Sequence, residues 1–125
     1  MIVAGFGFRT GATVESLQDA LSAANAGGVI DRLATPADKA ESACFRDFVA
    51  AVKLPVTPIS ANSMQAIETQ TQSARVLLER GTGSVAEACA LAAAGAEAKL
   101  ITQRHISADQ MATCAIAISS GGETL

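Results

Sequence analysis

Apolar runs and amphipathic stretches alternate along the first part of the chain. Residues 1–8 (MIVAGFGF) are apolar and predict a short strand. From Val14 to Ala24 the apolar side chains recur at helical spacing, and Thr13, just before them, is a residue type that favours the N-cap. The segment 25–28 (NAGG) carries the stop signal for this helix. The chain is therefore predicted to open with a strand followed by a helix.

A second strand and a second helix are predicted next. Residues 29–34 are mostly apolar and indicate a strand. Thr35 and Pro36 are predicted to cap a helix and to occupy its first position, and this helix is expected to end before Pro55. Residues 56–59 predict a short third strand. Strands that alternate with helices in this way are typical of a parallel sheet.

The middle of the chain has a weaker pattern. One helical turn is predicted within 60–68, and a short helix is predicted at 74–80. Ser84 and Glu87 have the S-x-x-E spacing of a capping box, in which each side chain accepts a hydrogen bond from the backbone N–H of the other residue. An alanine-rich helix is predicted to follow and to end at Gly95.

The last part of the chain predicts two strands and completes the fold. Residues 98–102 and 111–119 have strand patterns, and the segment QRHISADQ (103–110) is predicted to form the turn between them. We therefore expect an α/β fold: a three-layer α/β/α sandwich with a mostly parallel sheet of about five strands and an antiparallel edge hairpin at the C-terminus. Residues 1–125 are predicted to form one domain.

The composition argues against a nucleic-acid-binding protein and against a membrane protein. The net charge is −3 and only 3% of the residues are aromatic, so neither the basic surface nor the stacking side chains of a nucleic-acid-binding protein are expected. Half of the residues are hydrophobic, which is typical of a folded domain. No apolar run reaches the ~18 residues of a membrane span, and no signal-peptide pattern is present. We expect no membrane partner and a cytoplasmic location.

The cysteines do not indicate a metal centre. Cys44, Cys89 and Cys114 are far apart, and neither they nor the single histidine, His105, have the spacing of a metal motif. Three small buried thiols in a reducing compartment are the expected interpretation. We predict no metal site and no cofactor.

The glycine-rich start invites comparison with phosphate-binding loops. Gly5, Gly7 and Gly11 have the spacing G-x-G-x-x-x-G, which is one residue longer than the dinucleotide motif, so a small nucleotide-binding domain is only a second alternative. A glycine turn before a helix still offers backbone N–H groups to an anion, and Arg9 and Thr10 would add a charge and a hydroxyl. The competing interpretation is a turn whose glycines relieve strain beside a solvated Arg9.

Four segments of the chain, in order, resemble one protein family. They are GFGFRTGATVESL, LATPADKAESACFRDFVAAVKLPV, GTGSVAEACALAAAG and KLITQRHISADQMATCAIA. The first and third are the most specific, and together the segments cover nearly the whole chain. The sequence resembles the CobE / CbiG C-terminal-domain family of cobalamin biosynthesis. The long N-terminal portion of CbiG-type proteins is absent from this sequence, which suits the stand-alone CobE type.

The resemblance implies a role in building the corrin ring, with a precorrin or other corrinoid intermediate as ligand and other enzymes of the pathway as possible partners. The stand-alone type belongs to the aerobic pathway. In the CbiG type, the whole protein opens a ring-A lactone on a cobalt-precorrin and expels acetaldehyde. Two functions therefore stay open for this chain: binding of a precorrin through its carboxylates, and hydrolase-like chemistry on a ring-A lactone or a side chain.

The carboxylate fringe of a precorrin leads to a set of candidate binding residues. An acidic protein must concentrate its positive groups where such a ligand binds. The candidates are Gly5, Gly7, Arg9, Thr10, Gly11, Lys39, Ser84, Arg104 and His105, with Arg75 as a further cation. Glu41 and Glu87 are the candidates for an acid or a base, and Phe6 or Phe8 for an apolar contact with the ring.

Each of these residues also has a simpler interpretation. Lys39 has Asp38 and Glu41 as local partners, and Ser84 and Glu87 have their capping box. His105 would lie on a surface turn, and the two phenylalanines would pack in the core. No Ser/His/Asp arrangement is recognisable in the sequence, which favours binding over catalysis.

Overall fold

The computed structural model describes residues 1–25, 28–67, 84–95 and 97–119. Five strands form one sheet in the order β3-β2-β1-β5-β4. They are β1 (Ile2–Phe8), β2 (Arg32–Pro36), β3 (Val56–Ile59), β4 (Ala98–Ile106) and β5 (Ala112–Ser119). The described helices are α1 (Val14–Ala24), α2 (Ala37–Ala40), α3 (Ala43–Val52), α4 (Ala61–Gln65) and α5 (Val85–Ala94). The predicted helix at 74–80, and Arg75 with it, lies outside the described residues.

The sheet is mixed. Strands β1, β2 and β3 pair in parallel, whereas β5 is antiparallel to both of its neighbours, β1 and β4. The α/β fold with a C-terminal hairpin at one edge is therefore confirmed. The strand that runs against the others is β5, inside the sheet, and the outermost strand β4 again runs in the direction of β1.

Helices cover both faces of the sheet, as predicted. On one face α1 and α3 bury an aromatic cluster of Phe6, Phe45 and Phe48. The Phe6 and Phe48 ring centroids are 5.1 Å apart, in an edge-to-face arrangement. On the other face α4 and α5 pack on small side chains, among them Val3, Ala34 and Ala117 of the sheet. The two faces thus have large and small core residues respectively.

Three details of the predicted elements differ in the structure. The start of the second helix is shifted by one residue: Thr35 and Pro36 end β2, and Pro36 instead of Thr35 is the N-cap of α2. The buried Thr35 hydroxyl donates a hydrogen bond to the carbonyl of Phe6 at 3.1 Å. The helix predicted from this point is two helices, and α3 begins at its own cap, Ser42. The turn predicted at 103–110 is shorter, because β4 continues to Ile106.

Candidate functional site

The first turns of several helices, among them α1, α3 and α5, lie at one edge of the sheet. We call this the carboxyl edge, because β1, β2 and β3 end there at Phe8, Pro36 and Ile59. Helices α1 and α3 follow parallel strands and therefore begin at this edge, and α5 begins beside Gly7 of β1. Unpaired backbone N–H groups in a helix first turn create a positive potential there.

A hydroxyl caps each of these three helices. The side chains of Thr13, Ser42 and Ser84 accept hydrogen bonds from the backbone N–H three residues later, at 3.2, 3.3 and 3.3 Å. The predicted cap roles of Thr13 and Ser84 are confirmed. Each cap satisfies one N–H of its first turn.

The turn after β1 holds Arg9 in a fixed position. Its backbone N–H donates to the carbonyl of Met111 at 2.9 Å, and its own carbonyl accepts from Ala12 at 3.0 Å. Gly11 has a φ of +99°, a conformation that favours glycine, and Arg9, Thr10 and Gly11 are exposed. The turn therefore presents the Arg9 side chain to solvent at the carboxyl edge.

Gly5 and Gly7 do not belong to this turn, so the predicted extent of the glycine turn is wrong. Both lie inside β1, where they pair with Ala115 and Thr113 of β5. Their physical role is close packing: a Cβ on Gly5 would lie 2.2 Å from the carbonyl oxygen of Ala86 in α5. Because Gly5 and Gly7 have no side chain, α5 can pack closely against β1. These two glycines do not form a phosphate-binding loop.

Lys39 lies beside the same edge. Its Nζ is 5.1 Å from the centroid of the Phe8 ring, which in turn stacks on Phe45 with an interplanar angle of 4°. Phe8 is half-buried and immediately precedes Arg9. The structure thus brings two cations, Arg9 and Lys39, to the end of β1, next to a partly exposed aromatic ring. Glu41 is exposed between α2 and α3.

Ser84 and Glu87 lie in the buried first turn of α5. Ser84 is 1% exposed and Glu87 is fully buried. The Ser84 hydroxyl is engaged in capping, whereas the Glu87 carboxylate reaches the neighbouring strand β4 and accepts a hydrogen bond from the backbone N–H of Arg104 at 3.0 Å. Sequence spacing identified the cap but gave no sign of this tertiary contact.

Arg104 and His105 lie on the edge strand β4 and not on a turn. β4 is two strands away from β1, which corresponds to about 10 Å. His105 is exposed and level with Phe6, and its Nδ1 is 2.8 Å from the carbonyl oxygen of Gln103. The predicted site residues therefore form one group around Arg9, Thr10, Gly11 and Lys39, with Ser84 beside it. Arg104 and His105 form a second group across β5.

The turn between β4 and β5 docks on α1 through acidic side chains, which the sequence did not predict. The Ser16 hydroxyl donates to Asp109 at 2.5 Å, and the Asp19 carboxylate accepts from the backbone of Ala108 at 2.5 Å. A shallow depression of about 290 Å³ lies here, lined by Glu15, Ser16, Asp19, Ala108 and Asp109. Its carboxylates make it unsuitable for an anionic ligand.

The contact between the β4–β5 turn and α1 depends on pH through the Asp109 carboxyl group. Hydrogen bonds from Ser107, from Ser16 and from the backbone of Met111 hold the pKa of the Asp109 carboxyl below its ordinary value. A lowered pKa in the folded state means that the stabilisation is complete above the ordinary aspartate pKa of about 4. It is lost as the pH falls through the lowered pKa.

Asp109→Asn is therefore expected to lower the urea midpoint of unfolding at pH 7. The difference between the native protein and the variant should shrink as the pH falls below about 4. Asp47→Asn, at an exposed position of α3, is the matched control and should stay close to the native protein. A gap between native protein and D109N that is equal at pH 7 and pH 3 would contradict the assignment.

Cys89 and Cys114 are buried, as predicted, whereas Cys44 is only half-buried. Burial raises the pKa of the Cys114 thiol, and burial, together with the charges of Asp47 and Glu15, raises that of Cys44. Within residues 1–25, 28–67, 84–95 and 97–119, no cluster of three or more histidine, cysteine or acidic side chains has the geometry of a metal site. No helix in this part of the chain is long and apolar enough to cross a membrane.

The α/β fold described above is also found in related proteins. The family model described as "Cobalamin synthesis G C-terminus" matches residues 2–117. The chain belongs to this family, and it is a protein of cobalamin biosynthesis. No curated protein sequence matches it.

Solved structures agree with this assignment. The chain is similar to CobE, a protein from the cobalamin (vitamin B12) biosynthetic pathway, with 29% identity, a TM-score of 0.81 and coverage of 94% of this chain and 92% of that one. It is 33% identical to the cobalamin biosynthesis protein chiG from Agrobacterium tumefaciens, with a TM-score of 0.75 and coverage of 96% and 99%.

A third structure shares the fold. It is a putative cobalamin biosynthesis protein G homolog from Sulfolobus solfataricus, with 18% identity and a TM-score of 0.65. The match covers 93% of this chain and 36% of that protein.

Proposed function

We propose that the protein binds a precorrin-type tetrapyrrole intermediate through its peripheral carboxylates, at the carboxyl edge of the sheet. The observation that supports this most directly is the position of Arg9 and Lys39 at the end of β1, next to Phe8 in the chain and in space respectively. The net charge of the chain is −3, so a concentration of positive groups at one edge is selective for an anion.

The chemistry of the ligand matches these groups. A precorrin carries acetate and propionate side chains around an apolar macrocycle. The guanidinium of Arg9 suits a two-point contact with a carboxylate, and the ammonium of Lys39 acts as a point charge. The Phe8 ring beneath Lys39 offers an apolar surface next to both cations. Thr10 and the Gly11 amide are the uncharged donors of the same turn.

The second group extends the proposed site. Arg104 and His105 stand about 10 Å from β1, across β5. A macrocycle with carboxylates on all sides can place some of them at the β1 turn and others at β4. Contacts at two separated points, one at the β1 turn and one on β4, would fix the orientation of the ring.

The described residues favour binding and transfer over chemistry. The Ser84 hydroxyl is engaged as a helix cap, and the Glu87 carboxylate accepts a hydrogen bond from the backbone of β4. These side chains are thereby committed to structural contacts. We expect the protein to hold the intermediate in the aerobic pathway and to pass it to another enzyme of that pathway.

The proposal is tested by a matched pair of corrins. Cobyrinic acid has free carboxylate side chains, whereas cobinamide has the same ring with amides in their place. When binding is followed by visible absorbance, cobyrinic acid should bind and cobinamide should not. The protein has no Trp or Tyr and therefore contributes little near-UV absorbance of its own. Equal binding of both, or of neither, would refute recognition through carboxylates.

The same approach separates binding from catalysis. Purified protein is incubated with precorrin-stage intermediates, and the released pigment is analysed by mass spectrometry. An unchanged mass is expected for a binding protein. A changed mass would replace the proposal with the hydrolase-like alternative.

Arg9→Ala is expected to weaken the binding of cobyrinic acid by about 1–3 kcal/mol, because a charge-assisted contact with a carboxylate is lost. Stability should change little, since the side chain is exposed and only the backbone of Arg9 is hydrogen-bonded. Lys99→Ala is the control: it removes the same charge at the start of β4, at the opposite end of the sheet. Equal losses in R9A and K99A would indicate general attraction and not a site.

A further inference from the structure

The edge strand β4 contains a bulge at Arg104. Thr102 pairs with Ile116 and His105 pairs with Cys114, so two residues, Gln103 and Arg104, lie opposite the single Ala115. In a bulge the extra residue leaves the regular ladder of hydrogen bonds, and the strand bends. The backbone N–H of Arg104 therefore needs an acceptor outside β5.

Glu87 supplies that acceptor. Its Oε2 lies 3.0 Å from the backbone nitrogen of Arg104, and the side chain is fully buried. Its own backbone N–H is held by the Ser84 cap at 3.3 Å, so the carboxylate projects from a fixed first turn. The positive end of α5 makes this a favourable place for an acidic side chain.

We propose that Glu87 is a positioning residue for Arg104. Packing alone would be satisfied by an apolar side chain of similar volume, whereas a buried carboxylate is costly unless it is hydrogen-bonded. Here it fastens the bulge of an otherwise exposed edge strand to the start of α5, beside the carboxyl edge. The orientation of the Arg104 side chain towards its ligand carboxylate depends on this anchor.

The anchor is tested first without any ligand, by amide hydrogen exchange of the whole protein. In Glu87→Ala the Arg104 amide should exchange at least about tenfold faster, relative to the Ala115 amide of β5, because its acceptor is gone. Glu87→Gln keeps a carbonyl oxygen at the same place and should retain most of the protection. If E87A does not fold, Glu87→Leu, which fills the buried site without an acceptor, takes its place and should show the same faster exchange of the Arg104 amide.

Ser84→Ala is the matched control, since it removes the cap of the same helix and leaves the carboxylate. It should accelerate exchange in the first turn of α5 without a selective effect on Arg104. An Arg104 amide that exchanges equally in the native protein and E87A, or equally fast in S84A and E87A, would overturn the anchor.

A second experiment measures ligand binding, and it rests on the proposed function. Glu87→Ala and Arg104→Ala should each weaken the binding of cobyrinic acid by about five- to tenfold, and the double variant should bind no more weakly than R104A. Independent, multiplying losses would overturn the positioning role. If the native protein binds no cobyrinic acid, the proposed function fails and the ligand role fails with it, whereas the exchange data still decide whether Glu87 holds the bulge.

Discussion

Gly5→Val is expected to reduce the free energy of unfolding by about 3–5 kcal/mol, or to prevent folding. A Cβ at this position would lie 2.2 Å from the carbonyl oxygen of Ala86 and 2.5 Å from the amide nitrogen of Ala90. Both are backbone atoms of α5, so no side chain can rotate away to make room. The helix would have to move off the sheet, and the small-residue core on that face would open. Urea unfolding followed by circular dichroism measures the loss.

Gly28→Ala provides the comparison for this substitution. A Cβ on Gly28 would meet only the Asn25 side-chain oxygen, at 3.8 Å, which is an ordinary contact. The variant should therefore differ from the native protein by less than about 0.5 kcal/mol. If G5V were as stable as G28A, the close approach of α5 to β1 would not be a property of the folded protein.

Phe48→Ala is expected to destabilise the protein by about 3–5 kcal/mol. Phe48 is fully buried in α3, 5.1 Å from the Phe6 ring and 5.9 Å from the Phe45 ring, measured between centroids. Removing it leaves a cavity on the only face of the described core that has large aromatic side chains, and the backbones around it cannot collapse to fill the space. Thermal and urea unfolding give the change.

Phe48→Leu separates the loss of side-chain volume from the loss of the aromatic ring. It retains most of the apolar volume at the same position and should lose less than about 1.5 kcal/mol. Equal destabilisation by alanine and leucine would mean that the aromatic arrangement itself, and not the filled volume, stabilises this face.

Much of the fold followed from local patterns. The apolar run of β1, the helical spacing after Thr13 and the Ser84 cap are each encoded within a few residues, and each is present in the structure. The helix start predicted at Thr35 and Pro36 is one residue early, because α2 begins at Ala37. The hydroxyl of Thr35 instead bonds Phe6, a partner 29 residues away, and both residues continue the strand.

The candidate site was predictable only in part, for the same reason. Arg9 and Lys39 follow the ends of neighbouring strands, so their common edge could be predicted from topology. Gly5 and Gly7 looked like turn residues, yet their lack of a side chain serves contacts with α5, a helix remote in sequence. The Asp109–Ser16 contact joins residues 93 positions apart, and no spacing rule reports such a pair.

The irregular course of β4 also has a consequence for the behaviour of the protein in a crowded solution. A long outermost strand offers its free backbone groups to any neighbouring molecule and can seed fibres. The two register shifts in β4 interrupt that row of groups and twist it. The strand of a second molecule could therefore not pair regularly with β4, and polymerisation through this edge of the sheet is disfavoured.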